Sequence, residues 1–332
     1  MGDEFRWNIA GMGVLPAAFE EVTTYPLGFK LEGGLGLQYE PVFLETTLEG
    51  SVHDVGASPL GVDHYDVTTP FNFTLSGGLA IRDSFYLRLG RHHYEKTEVE
   101  GILTNRAFST AANFANTVPE LGILGGEALY HIDNDEGSLR ELKTNVAYFS
   151  SKDRSHFGII EGLVTLGLEN HSDAPTLTFA AFGTIQPEAE ASIVKARDGL
   201  VHGQGLAGSF DYGIFSGAVG FTHRYGGFSS AASEELNVVT LAIMLAPENF
   251  LFRGAYSWIT QSTTADSEAN PPIAQSENHL EFSVGYYPSE SFLLAAGYRG
   301  AHGDRYASNQ MFLGLQTSFA GAVPFAKDPS VR

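Results

Sequence analysis

The chain contains no cysteine at all. That removes any disulfide framework and any thiolate metal site, and with them the small stapled or zinc-held domains. Basic residues are scarce as well: 19 Lys plus Arg stand against 39 Asp plus Glu, a formal net charge of −20 at pH 7. Phosphate backbones are gripped by clustered Lys and Arg, so no nucleic-acid partner is expected. No apolar run approaches the roughly 18 residues of a membrane-spanning helix. The opening Met1-Gly2-Asp3-Glu4 lacks the basic flank and apolar core of an export signal, so for an exported protein the signal is expected to have been removed. Nucleotide and hydrolase signatures are missing too. Gly33-Gly34-Leu35-Gly36 is followed by no helical pattern, and Ser209 sits in Gly208-Ser209-Phe210-Asp211, not in a nucleophile elbow.

What the chain does have is 38 Gly, 24 Phe and 14 Tyr, arranged in strict two-residue alternation. Leu27, Phe29, Leu31, Leu35, Leu37 and Tyr39 occupy odd positions, while Lys30, Glu32, Gln38 and Glu40 occupy even ones. Successive side chains of a strand point to opposite faces, so one face is apolar and the other wet. The same pattern recurs about sixteen times, from a short first strand at Phe5–Met12 to Met311, Leu313, Leu315, Thr317 and Phe319. Each segment is about long enough for a tilted strand to cross a hydrocarbon core. A soluble sandwich would need polar outer faces, and a propeller would show a blade repeat of about 40 residues. The reading is an all-β fold: a transmembrane antiparallel β-barrel of about sixteen strands. It forms one domain over 1–319, with 320–332 as a periplasmic tail or added extension.

Connections near 40, 83, 135, 172, 213, 247 and 289 read as short. Those near 14–26, 55–69, 95–121, 188–199, 227–236, 262–277 and 302–308 read as mostly longer. Short turns on one rim and long loops on the other mark outer-membrane barrels, with short periplasmic turns and long extracellular loops. The closing segment Asn309-Gln310-Met311-Phe312-Leu313-Gly314-Leu315-Gln316-Thr317-Ser318-Phe319 resembles the carboxy-terminal strand of bacterial outer-membrane porins, although here the chain continues beyond the final Phe. The resemblance implies residence in the outer membrane among lipid and lipopolysaccharide, possession of a water-filled channel, and assembly as a homotrimer. It also implies that the segment joining strands five and six, 95–121, folds inward as a constriction loop. Glu95, Glu98, Glu100 and Glu120 supply its acids, and Arg106 opens a helix-compatible stretch to Asn116.

Parity assigns the lumen wall. Its bases are Lys30, Arg82, Arg88, Lys143, Arg224, Arg253 and Arg299; its acids are Glu32, Glu45, Glu49, Glu127, Glu141, Glu161, Glu169 and Glu281. Acids outnumber bases, and carboxylate rings favour cations. The expectation is therefore a passive channel for ions and small hydrophilic solutes with a weak cation preference. A substrate-specific channel is the alternative, or a barrel enzyme or scaffold for another envelope protein. No catalytic residue, metal site or cofactor is expected. The run Asp133-Asn134-Asp135-Glu136-Gly137 has oxygen ligands at calcium-loop spacing, but those residues are also turn formers, and the turn is preferred. Tyr39, Tyr148, Tyr256, Trp258, Tyr286 and Tyr298 are expected on the membrane face near the interfaces.

Overall fold

The structure, a computed structural model, describes residues 4–20, 28–39, 41–53, 72–81, 84–92, 97–104, 123–134, 137–150, 156–189, 199–227, 233–264, 273–303 and 306–324. The first eight strands are Glu4–Glu20 (β1), Gly28–Tyr39 (β2), Val42–His53 (β3), Asn72–Ile81 (β4), Phe85–His92 (β5), Ile123–Asp133 (β6), Leu139–Ser150 (β7) and His156–Gly167 (β8). The second eight are Thr176–Ala189 (β9), Gly199–Tyr212 (β10), Phe215–Gly227 (β11), Ser233–Leu245 (β12), Phe250–Thr264 (β13), Ile273–Ser289 (β14), Phe292–Gly303 (β15) and Tyr306–Pro324 (β16). Among the described residues one helix, α1 (Glu98–Thr104), lies between β5 and β6.

Each strand pairs antiparallel with its sequence neighbours, and β1 pairs with β16 to close the barrel. Closure leaves no edge, so every strand finds ladder partners on both sides without water. The apolar parity faces outward: Leu35, Leu37, Leu87, Leu89, Leu241, Ile243, Leu313 and Leu315 are all exposed, Leu89 by 70%. In a soluble protein such a continuous belt would be an aggregation surface; here it is the face that hydrocarbon covers. Tyr39, Tyr148, Tyr256, Trp258 and Tyr286 share that outer face.

The connections on the rim that carries both chain ends are 40–41, 82–84, 134–138, 168–175, 213–214, 246–249 and 290–291. Gly213 opens a two-residue link with φ of 54°, a left-handed value that glycine adopts without a Cβ clash. Asn134 serves as a turn former: its side-chain amide donates to the Leu139 carbonyl (3.1 Å) and its N–H to the Arg140 carbonyl (2.7 Å). The 168–175 link is longer than expected, and Arg140 braces it from inside by donating from Nη2 to the carbonyls of Glu169 (3.2 Å) and His171. Glu169, expected on the lumen wall, therefore belongs to this turn.

Two expectations shift. The first strand runs to Glu20, well past Met12, because β16 offers partners along its length, with one irregularity between Pro16 and Ala18. The last strand passes Phe319 and pairs Ala320–Pro324 with Glu4–Asn8, so the barrel does not end at 319. Residues 325–332 lie outside the described residues.

Truncation after Phe319 is expected to leave a barrel that assembles but denatures more easily, since the closing ladder loses its last register pairs at about 0.5–1.5 kcal/mol per hydrogen bond. Heat-modifiable electrophoretic mobility checks this; an unchanged melting temperature would show that the extension contributes nothing to closure.

Candidate functional site

The site is built by α1 and the inner wall that receives it. Thr97-Glu98-Val99-Glu100 is a capping box: the Glu100 N–H donates to Thr97 Oγ1 (3.2 Å), and the Thr97 N–H donates to Glu100 Oε2 (2.8 Å). Two carboxylates in the first turn also suit the positive end of the helix. Seven residues are too few to hold a helix in water, so α1 depends on packing. Val99, Ile102 and Leu103, spaced as one helical face, bury themselves against Leu163, Ala180, Phe182 and Ala207, with Ala218 beside them. These wall residues sit on the opposite parity from outward Phe179, Leu206 and Val219. The helix therefore lies inside the barrel.

The register explains the seat. Lys143, Leu163, Ala180, Ala207 and Gly220 are directly opposed across five neighbouring strands, β7 to β11. The row shrinks from Lys and Leu to Ala, Ala and Gly, leaving a depression one helix deep. At Gly220 a Cβ would stand 2.7 Å from Leu103 Cδ1, so the absence of a side chain is what lets Leu103 in. Burying three aliphatic side chains contributes roughly 1.5–3 kcal/mol each, which offsets part of the cost of ordering a short helix.

A polar chain fixes the start of α1. Arg88 donates from Nη2 to Glu45 (2.9 Å) and from Nη1 to Glu127 (3.3 Å). Asn145 Nδ2 reaches Glu127 Oε1 (2.7 Å) and Glu161 Oε1 (3.3 Å). The backbone N–H of Glu98 donates to Glu161 Oε2 (2.9 Å), and the Glu98 carboxylate pairs with Lys143. These residues span β3, β5, β6, β7 and β8, so the wall holds the helix terminus by charge as well as by packing.

One register step closer to the short-turn rim lies a second row: Glu141, Thr165, Thr178 and Ser209, opposed across β7 to β10. Thr165 Oγ1 donates to Glu141 Oε2 (3.4 Å) and lies 3.1 Å from Thr178 Oγ1; His131 Nε2 is 3.1 Å from Glu141 Oε1. Between this row and α1 is a cavity of ≈ 480 Å³. On the far wall Glu281 opposes Arg299, and Arg253 is one inward step away, opposite Ser283. His279 pairs with Glu277, while the hydroxyl of Ser257 bonds to Thr240 Oγ1 (2.9 Å) and not to the imidazole. Among the described residues no cluster of His, Asp and Glu could hold a metal ion.

Of the residues singled out by parity, Glu45, Arg88, Glu127, Lys143 and Glu161 come together, and Arg253 and Arg299 stand on the opposite wall. Lys30, Glu32 and Glu49 lie in β2 and β3, with Glu32 opposite Glu49; their side chains are outside the described set. Arg82, Glu95, Arg106 and Glu120 lie outside the described residues. Glu100 is not a free pore acid, because it is buried in the capping box. The helix occupies 98–104, upstream of the Arg106–Asn116 stretch expected to favour one. The Arg106–Asn116 stretch itself lies outside the described residues; the signal for α1 is the Thr-Xaa-Xaa-Glu signature with Val99, Ile102 and Leu103 behind it. The hydroxyl row was also missed, because single Thr and Ser residues look alike on every strand until the register aligns them.

No protein-family model matches the chain, and comparison with curated protein sequences gives no match. Solved structures do match. OmpT (in-vitro folded), an outer membrane protein of Vibrio cholerae, aligns with a TM-score of 0.62 at 8% identity, over 95% of this chain and 96% of that one. OmpF of Salmonella typhi, in complex with daunomycin, aligns with a TM-score of 0.61 at 11% identity, over 96% and 98%. The chain folds as a porin-like outer-membrane barrel. At these identities the likeness is one of fold, and the lumen chemistry rests on this chain's own residues.

Replacing the cap by Thr97→Ala should destabilise α1 by about 1 kcal/mol. Hydrogen exchange at the Gly101 amide, which donates to the Thr97 carbonyl (2.8 Å), should then speed up several-fold. Unchanged exchange would show that packing alone holds the helix.

Proposed function

We propose that the protein is a passive channel of the bacterial outer membrane, admitting ions and small hydrophilic solutes through a lumen narrowed by α1, with no chemical step. The observation that carries this reading is a helix seated inside a closed barrel beside a polar cavity, with charged side chains of both signs around it. Opposed charges order water and polar solutes across a lumen, whereas apolar ones would be excluded. The outward apolar belt supports contact with lipid and lipopolysaccharide, and assembly as a homotrimer is part of the proposal.

A weak cation preference is part of the proposal. Glu98, Glu141, Glu127 and Glu161 gather on the side that holds the start of α1, compensated in part by Arg88 and Lys143. These ion pairs are partly solvated, so each contributes little to stability, about 0–1 kcal/mol, and acts mainly through its field. Because Glu100 is taken up by the cap, the preference is smaller than an all-acid loop would produce.

Reversal potentials across a KCl gradient in planar bilayers test this. Cation selectivity is expected, reduced by Glu141→Gln, raised by Arg88→Gln, and weakened near 1 M salt, where the Debye length falls to about 3 Å. Anion selectivity, or no conductance at all, would contradict the reading.

A further inference from the structure

We propose that the cavity between α1 and the row Glu141, Thr165, Thr178 and Ser209 is a binding site for a neutral polyhydroxylated solute of monosaccharide size. This inference rests on the channel reading and names a solute class for it. Three features of the cavity point to that chemistry.

The first is the kind of polar group. Three hydroxyls stand side by side on adjacent strands, and a carboxylate acceptor ends the row; Thr165 donates to Glu141 and Ser209 to Asp211 Oδ2 (3.2 Å), which orients their remaining lone pairs as acceptors for solute hydroxyls. A sugar presents hydroxyl donors along one edge. Thr165 Oγ1 and Thr178 Oγ1 lie 3.1 Å apart, a spacing of the order seen between vicinal hydroxyl oxygens of a sugar ring, so the pair can meet a vicinal diol.

The second is charge. Lys143 at the cavity edge is matched by Glu98, and Glu141 lies 3.1 Å from His131, so the charged groups already have partners. A small anion would have to displace Glu98 from Lys143. A cation would have to compete with the ammonium of Lys143 for Glu98 and with the hydrogen bonds of His131 and Thr165 for Glu141. A neutral solute leaves the Lys143–Glu98 ion pair intact and can donate to acceptors held in place.

The third is apolar surface beside the row. Leu163 precedes Thr165 by two residues on β8, Ile102 of α1 belongs to the same packing, and together they offer a strip suited to the C–H face of a ring. The strip is rigid because both side chains belong to the buried packing that seats α1, and the capping box fixes the helix. The site is thus preorganised, and little ordering cost opposes binding. The volume of ≈ 480 Å³ leaves room for one such ring with water.

The test uses the full chain refolded in detergent micelles and titrated calorimetrically with D-glucose, D-gluconate and D-glucosamine, alongside ionic current in bilayers with the same probes. Glucose should bind saturably in the millimolar range and reduce the current with the same concentration dependence. The double substitution Thr165→Val with Thr178→Val, whose side chains keep their volume, should weaken glucose binding by roughly tenfold; heat-modifiable mobility confirms that the variant barrel folds. Conductance without saturable glucose binding overturns this inference and leaves the channel intact. Gluconate or glucosamine binding more tightly than glucose overturns the neutral class. Saturable glucose binding in a barrel that passes no current supports the site and sinks the channel reading instead.

Discussion

Everything in this molecule depends on the rule that a backbone inside hydrocarbon must satisfy its own hydrogen bonds. An open sheet of sixteen strands would present two unpaired edges to lipid, and each orphaned amide or carbonyl would cost several kcal/mol. Pairing β1 with β16 along nearly the whole of both strands removes those edges. Once the barrel is closed, parity does the rest: one side chain in two must be compatible with lipid, and the other is free to carry chemistry. The inward set can then vary from Glu and Arg to Ala and Gly without threatening the wall, because closure is a property of the backbone.

That freedom is what α1 exploits. A row that narrows to Ala207 and Gly220 makes a seat, and the neighbouring row keeps its polar side chains and makes a cavity. The same strands therefore serve packing at one level and solvation at the next, two residues further along. The polar chain from Arg88 through Asn145 to Glu161 links the two uses, since it anchors the helix terminus while facing the lumen.

The barrel was legible in the sequence because its signal is repeated: each strand states the same parity, and the turns state the same direction. Outward Leu35, Leu241 and Leu313 could be assigned without coordinates. The first strand was cut short at Met12 because the alternation fades where Pro16, Ala17 and Ala18 interrupt it, although cross-strand partners carry the ladder on. Parity also says which way a side chain points but not what it meets. Phe149, Phe157, Phe182 and Leu236 point inward and are buried, against the simple expectation of a polar lumen, because inward packing can cover them. Glu100 was counted among the pore acids for the same reason; its role is set by a backbone N–H three residues away. Rows such as Glu141, Thr165, Thr178 and Ser209 depend on register, and one sequence does not fix the stagger of sixteen strands.

The central claim is that α1 rests inside the barrel against β8 to β11. The chain has no native cysteine, so an engineered pair can be read without background. Leu103→Cys combined with Gly220→Cys places two thiols where the helix packs on the wall. The account predicts that mild oxidation of the membrane-embedded protein joins them, seen as a faster-migrating species that reverts on reduction, with ionic current preserved. Thiols that stay unjoined, and both react freely with a bulky water-soluble maleimide, would contradict it.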